Sequence, residues 1–255
     1  MVALVDIINY IDDLLDASQF KDYCPNGLQV EGCEKIRKIV MGVTASQALI
    51  DAACEQQADL LLVHHGFFWP GESPVISGMK KRRIKRLLEA DISLAAYHLP
   101  LDAHPLFGNN AQLASMLGLD IAGRFAGDGC QAIGMYGRPE NEFTASAFAE
   151  HLSRCLNRQC LYIAPENRVS DRIQTVAWCT GAAQGYIEQA VELGVDAYIT
   201  GEASEQTAHI ARECGIHFYA AGHHATERYG VKALGEHLGE HFELNQHFID
   251  IDNPI

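Results

Sequence analysis

The chain has 255 residues, 48% hydrophobic and 20% charged, an ordinary globular composition with length enough for a sizeable core. No stretch reaches the ~18 apolar residues that a membrane span needs. A formal net charge of −14 argues against nucleic-acid binding by the surface as a whole.

Met1 to Asp16 carries Asp6, Asp12 and Asp13 and has no basic leader. It reads as an amphipathic helix over 3–16 with Leu4, Ile7, Ile8, Ile11, Leu14 and Leu15 on one stripe, not as a secretory signal. The turn Pro25-Asn26-Gly27 leads to a strand near 28–31, and a second strand follows at 37–43. Ser46 is a candidate N-cap for a helix over 46–56. The apolar run Leu60 to Val63 sits in a strand over 59–63, and a helix over 79–90 follows. That helix holds Lys80-Lys81-Arg82-Arg83-Ile84-Lys85-Arg86, which is either a solvated face or a docking patch for phosphate-bearing ligands. A strand at 92–97, a helix at 109–117 and a strand at 131–137 complete the first series.

A second series repeats the first. It runs helix 143–156, strands 159–163 and 173–179, helix 183–193, strand 196–200, helix 203–214, strand 216–220, helix 226–239 and strand 246–250. A shift of 137 residues sets Gln47 on Gln184, Ile50 on Ile187 and Asp59 on Asp196. The expectation is an α/β fold, internally duplicated, with halves 1–138 and 139–255 packed around a shared metal cleft. The eight cysteines are scattered and form no C-x-x-C pair, which suits reduced thiols in a cytoplasmic chain.

Three predicted strands end in histidines and carboxylates. His64-His65 closes the first, His98 to Asp102 follows the second, and Gly222-His223-His224-Ala225-Thr226-Glu227 follows the third. The carboxyl ends of strands are where α/β folds place ligands. The donors His64, His65, Asp102, His223 and Glu227 exceed the three protein ligands of a single open catalytic zinc. They suit two divalent cations about 3.5–4 Å apart, iron, zinc or manganese, and therefore hydrolysis. His98 and Glu202 are candidate proton-transfer residues, and Glu202 stands where the repeat has His65. His104 and His224 are candidates to orient ligands, and Glu205 is explained by its place at a helix start. There is no G-x-G-x-x-G, Walker A or G-x-S-x-G motif.

The segments PNGLQVEG (25–32), GVTAS (42–46), HHGFFW (64–69), HLPLDAHP (98–105), TGEASEQ (200–206) and AGHHATE (221–227) together resemble the YbgI family. This is the yeast NGG-interacting-factor-like group, whose members are often named GTP cyclohydrolase I type 2 homologues. The match is to its short bacterial form. The resemblance implies a duplicated α/β fold, a toroidal homohexamer and a dinuclear metal site on His64, His65, Asp102, His223 and Glu227. Two functions follow as expectations. One is a metal-dependent hydrolase of a nucleotide or similar small molecule. The other is a non-catalytic metal-binding or interaction protein that forms a ring.

Overall fold

The computed structural model describes residues 1–166 and 170–255, with the backbone but not the side chain of Cys130. The chain packs into two compact units, Met1–Phe107 with Gly230–Asp252, and Gly108–Tyr229 with Asn253–Ile255.

Unit 1 contains β1 (Val2–Ala3), α1 (Leu4–Leu14), β2 (Gly27–Val30), β3 (Lys35–Ile36), β4 (Lys38–Thr44), α2 (Gln47–Glu55), β5 (Leu60–His65), α3 (Gly78–Glu89), β6 (Ser93–Ala96) and α4 (Leu99–Ala103). Its sheet runs in the order Asn245–Phe248, β4, β5, β6, β2. The first four strands are parallel and β2 is antiparallel to β6. Near-continuous apolar runs such as Leu60 to Val63 are what parallel strands covered on both faces require. Alternation sorts them. Ile39, Met41, Leu60 and Leu62 pack with Leu4, Ile7 and Ile11 of α1 on one face. Val40, Leu61 and Val63 pack with Leu49 and Ile50 of α2 and Leu87 of α3 on the other. Fully burying one leucine is worth about 2 kcal/mol, so the middle strand is held from both sides. Ser46 caps α2 as expected, its Oγ accepting from Leu49 N at 3.2 Å.

Unit 2 contains α5 (Asn109–Leu117), β7 (Leu119–Phe125), β8 (Gly134–Pro139), β9 (Phe143–Thr144), α6 (Ala145–Leu156), β10 (Leu161–Ile163), β11 (Arg172–Ile173), β12 (Val176–Trp178), α7 (Ile187–Glu192), β13 (Ala197–Thr200), α8 (Glu205–Cys214), β14 (His217–Ala220) and the start of α9 (His223–Phe242). Its sheet order is β10-β14-β13-β12-β8-β7. Strands β12, β13 and β14 are parallel, and β10 and β8 flank them antiparallel. Trp178, Ile199 and Tyr219 form a core with Leu113 and Leu117 of α5 and Phe148 and Leu152 of α6.

The run β4-β5-β6-β2 in unit 1 has the same order and directions as β12-β13-β14-β10 in unit 2. Asp59 Oδ2 accepts from Arg37 N and Lys38 N at 2.7 and 3.0 Å. Asp196 Oδ2 accepts from Gln174 N and Thr175 N at 2.9 and 2.8 Å, the positions 137 residues further on.

The units do not divide at Pro139, where halves 1–138 and 139–255 were expected to join. Residues 108–138 pack into unit 2, because β8 pairs with β12 and α5 shares the core of α6. Residues 230–252 return to unit 1, because Asn245–Phe248 pairs with β4 and Leu234 and Leu238 enter the core of α1. Strand β7 has no counterpart among the expected elements. It is an edge strand whose residues Asp120, Ile121 and Ala122 are exposed, so it lacks the apolar run that reveals a buried strand. Among the described residues no helix is long and apolar enough to cross a membrane, and no disulfide joins the described cysteines.

Candidate metal centre

Unit 1 gathers His64, His65 and Asp102. Strand β5 continues through both histidines instead of ending before them, because Thr44 of β4 still pairs with His65. Their rings lie 4.5 Å apart by centroid. His64 is fully buried, and its Nδ1 lies 2.9 Å from Tyr97 O. A carbonyl only accepts, so Nδ1 carries a proton and Nε2 is the nitrogen left to face a ligand. That Nε2 is 3.5 Å from Asp102 Oδ1, on the short helix α4 just beyond β6. His65 Nδ1 meets Thr44 Oγ1 at 3.2 Å.

His98 joins the same group. Its ring centroid is 5.1 Å from that of His64 and 5.6 Å from that of His65. One nitrogen from each of the three rings lies within 4.8 Å of the others, close enough to hold a metal ion. His98 Nδ1 donates to Asp22 Oδ1 at 2.7 Å, and His98 N donates to Asn26 Oδ1 at 2.7 Å. Burial by itself pushes the Asp22 carboxyl up. The hydrogen bonds from His98, Asn26 and Leu99 N overcome this and hold it at about 2. Asp22 therefore stays ionised and fixes the His98 tautomer. Burial, then the neighbouring Asp22 and Asp102, push the Cys24 thiol up to about 12, so it is a neutral thiol.

Unit 2 gathers His223, Glu227 and Glu202. Helix α9 begins at His223, three residues before the expected start at 226, so His223 and Glu227 stand one turn apart on one face. His223 Nε2 lies 3.1 Å from Glu227 Oε2, and its Nδ1 lies 2.6 Å from Glu202 Oε1. Burial disfavours the charged ring, but Glu227 and then Glu202 outweigh it and raise His223 to about 9. Gly181 has φ +70° and leaves room for Glu227, because a Cβ there would run into Glu227 Oε1. Gly201 lets the His223 backbone approach, since its Cβ would lie 2.6 Å from His223 Cα.

The donor chemistry in each unit fits divalent cations: imidazoles with Nδ1 held from behind and carboxylates beside Nε2. Other candidates have local duties. His104 Nδ1 accepts from Phe107 N at 3.0 Å and its ring stacks on Phe107. His224 is buried and its N donates to Ile255 O. Glu205 is exposed in the first turn of α8. In the basic run, Lys80 pairs with Glu72, Lys85 with Glu89 and Arg86 with Asp51. Nothing in the sequence singles out Asp22 or Tyr97; Thr44 and Asn26 stand in the segments GVTAS and PNGLQVEG that carry the family resemblance, without a role of their own. Gln29 also serves the region, its Oε1 accepting from Phe67 N at 2.7 Å just after His65.

A model of Duf34/NIF3 (NGG1p interacting factor 3) matches residues 2–254. A Pseudomonas aeruginosa protein named GTP cyclohydrolase 1 type 2 homolog is 54% identical over 253 residues, 99% of each chain. A Yersinia pestis protein of the same name is 53% identical over 250 residues, 98% of each. The solved structure of protein ybgI superposes with TM-score 0.95 at 49% identity over all of both chains. One from Thermus thermophilus superposes with TM-score 0.88 at 34% identity, again over all of both. With the family's model spanning nearly every residue, the chain belongs to the Duf34/NIF3 family.

Proposed function

We propose that the chain is a dinuclear metal-dependent hydrolase of the GTP cyclohydrolase 1 type 2 homologue kind, acting on a nucleotide or a similar small molecule. In this reading His64, His65, Asp102, His223 and Glu227 are the ligands of two divalent cations, iron, zinc or manganese. The carrying observation is the locked imidazole. His64 and His223 each have Nδ1 held by a carbonyl or carboxylate, which leaves Nε2 beside the carboxylate of Asp102 or Glu227. When bound, the cations acidify water and polarise a substrate oxygen.

The chain's own residues do the rest. His98 moves a proton at Nε2 while Asp22, accepting from its Nδ1, fixes the orientation of the ring. Glu202, engaged on His223 Nδ1, orients that ligand in place of the general-base role its sequence position suggested. The two units are read as copies of one α/β module, and the chain as one subunit of a cytoplasmic ring of six. A screen of nucleotides and phosphoesters with metal-stripped and reconstituted protein tests the activity. Turnover that returns with metal and is lost in His64→Ala supports the reading, and full turnover in the stripped protein overturns it.

A further inference from the structure

We infer that Trp69 is a stacking platform for a planar heteroaromatic ring, and that the basic helix α3 takes the anionic end of the same ligand. This rests on the nucleotide reading above and names the residues that would recognise the two ends. Trp69 sits four residues after His65. Its indole centroid is 5.1 Å from the His98 ring in an edge-on arrangement and 5.8 Å from the His65 ring. Its Nε1 donates to Gly66 O at 3.2 Å, which pins the indole back against its own loop. The side chain is nevertheless only half-buried. A large aromatic held in one orientation beside two imidazoles, and only half-buried, offers a ring partner a preformed face.

The preceding residue reaches the other way. Phe68 is exposed and adopts φ +67°, a conformation that side chains other than glycine rarely take. Its ring lies 4.7 Å under Lys80 Nζ, and Lys80 also pairs with Glu72 at 2.8 Å. Two consecutive residues of one loop thus touch the imidazole group and the first turn of α3. The strained Phe68 fixes that division. On α3, Lys81 and Arg82 are exposed, and Arg83 Nε is buried with no hydrogen-bond partner among the described residues. The helix is cationic in a chain of net charge −14. The ligand class that matches both features is a phosphorylated heteroaromatic, of which a nucleotide is the commonest example.

The chain has two tryptophans, and Trp178 is fully buried in unit 2, so quenching by a stacked base reports on Trp69. The probes are GTP, guanosine and ribose 5-phosphate, added to metal-free and manganese-loaded protein. GTP and guanosine are expected to quench the wild-type fluorescence and ribose 5-phosphate is not. By calorimetry, Trp69→Ala should weaken GTP about tenfold or more, and Trp69→Phe should recover most of it. Arg83→Gln should weaken GTP several-fold and leave guanosine unchanged. Equal GTP affinity in wild type and Trp69→Ala, or no quenching by either purine, overturns the inference. Quenching in a protein that shows no metal-dependent turnover would keep this inference and remove only the hydrolase reading.

Discussion

Replacing Asp22 by asparagine should remove stability in a way that depends on pH. The Asp22 side chain is only 3% exposed, so solvent screens its interactions little. Its carboxyl is lowered from 3.8 to about 2, and each tenfold change in proton affinity corresponds to about 1.4 kcal/mol. The folded state therefore gains about 2 kcal/mol from the ionised form. Because the folded value is the lower one, this stability is present above pH 3.8 and is lost as pH falls through about 2. Roughly half is gone at pH 3. Urea unfolding of metal-free wild type and Asp22→Asn between pH 7 and pH 3 measures the difference. It should be about 2 kcal/mol at pH 7 and shrink to about 1 kcal/mol at pH 3. A difference that is constant with pH would refute the argument, because it would mean that asparagine disturbs packing and that the charge on Asp22 holds nothing.

Two further outcomes are expected. His223, raised to about 9, is protonated at neutral pH in the metal-free protein, and its ion pairs stabilise the fold below pH 6.5 and are lost as pH rises through about 9. Manganese binding should then expel this proton and weaken about tenfold for each unit that pH falls below 9, as calorimetry in buffers of different ionisation enthalpy would read. Gly181→Ala should cost about 1–2 kcal/mol through its positive φ alone. Its methyl would also turn Glu227 away from His223, so metal affinity should fall with stability, as titration and thermal unfolding would register together.

The sequence is most readable where a single strand or helix decides the outcome. The run ending in His64 and His65 is a buried parallel strand because both its faces meet helices, and four consecutive apolar residues say so. The helix expected over 109–117 forms over Asn109 to Leu117, closed by Gly118 in the left-handed region. Contacts between distant segments are not readable. Asn245–Phe248 pairs with β4 some two hundred residues earlier, and nothing local to either strand signals the partner. Asp22 and Asn26 are ordinary loop residues until His98, more than seventy residues on, is placed against them. Helix α9 was expected to begin at 226, after His223-His224-Ala225; the observed start at His223 follows Gly222, whose φ of +102° turns the chain out of β14. Of the candidate site, the metal-donor residues are visible as types, while the partners that fix their tautomers come only from the fold.

The central proposal is that His64, His65, Asp102, His223 and Glu227 are ligands of two divalent cations. Counting tightly bound manganese per chain by elemental analysis after gel filtration, for wild type, His64→Ala and His223→Ala, tests it most directly. The account predicts two ions per chain in the wild type and a loss of affinity in each variant, although the replaced residues belong to different compact units. Two ions retained with unchanged affinity in His223→Ala, or none bound by the wild type, would contradict it.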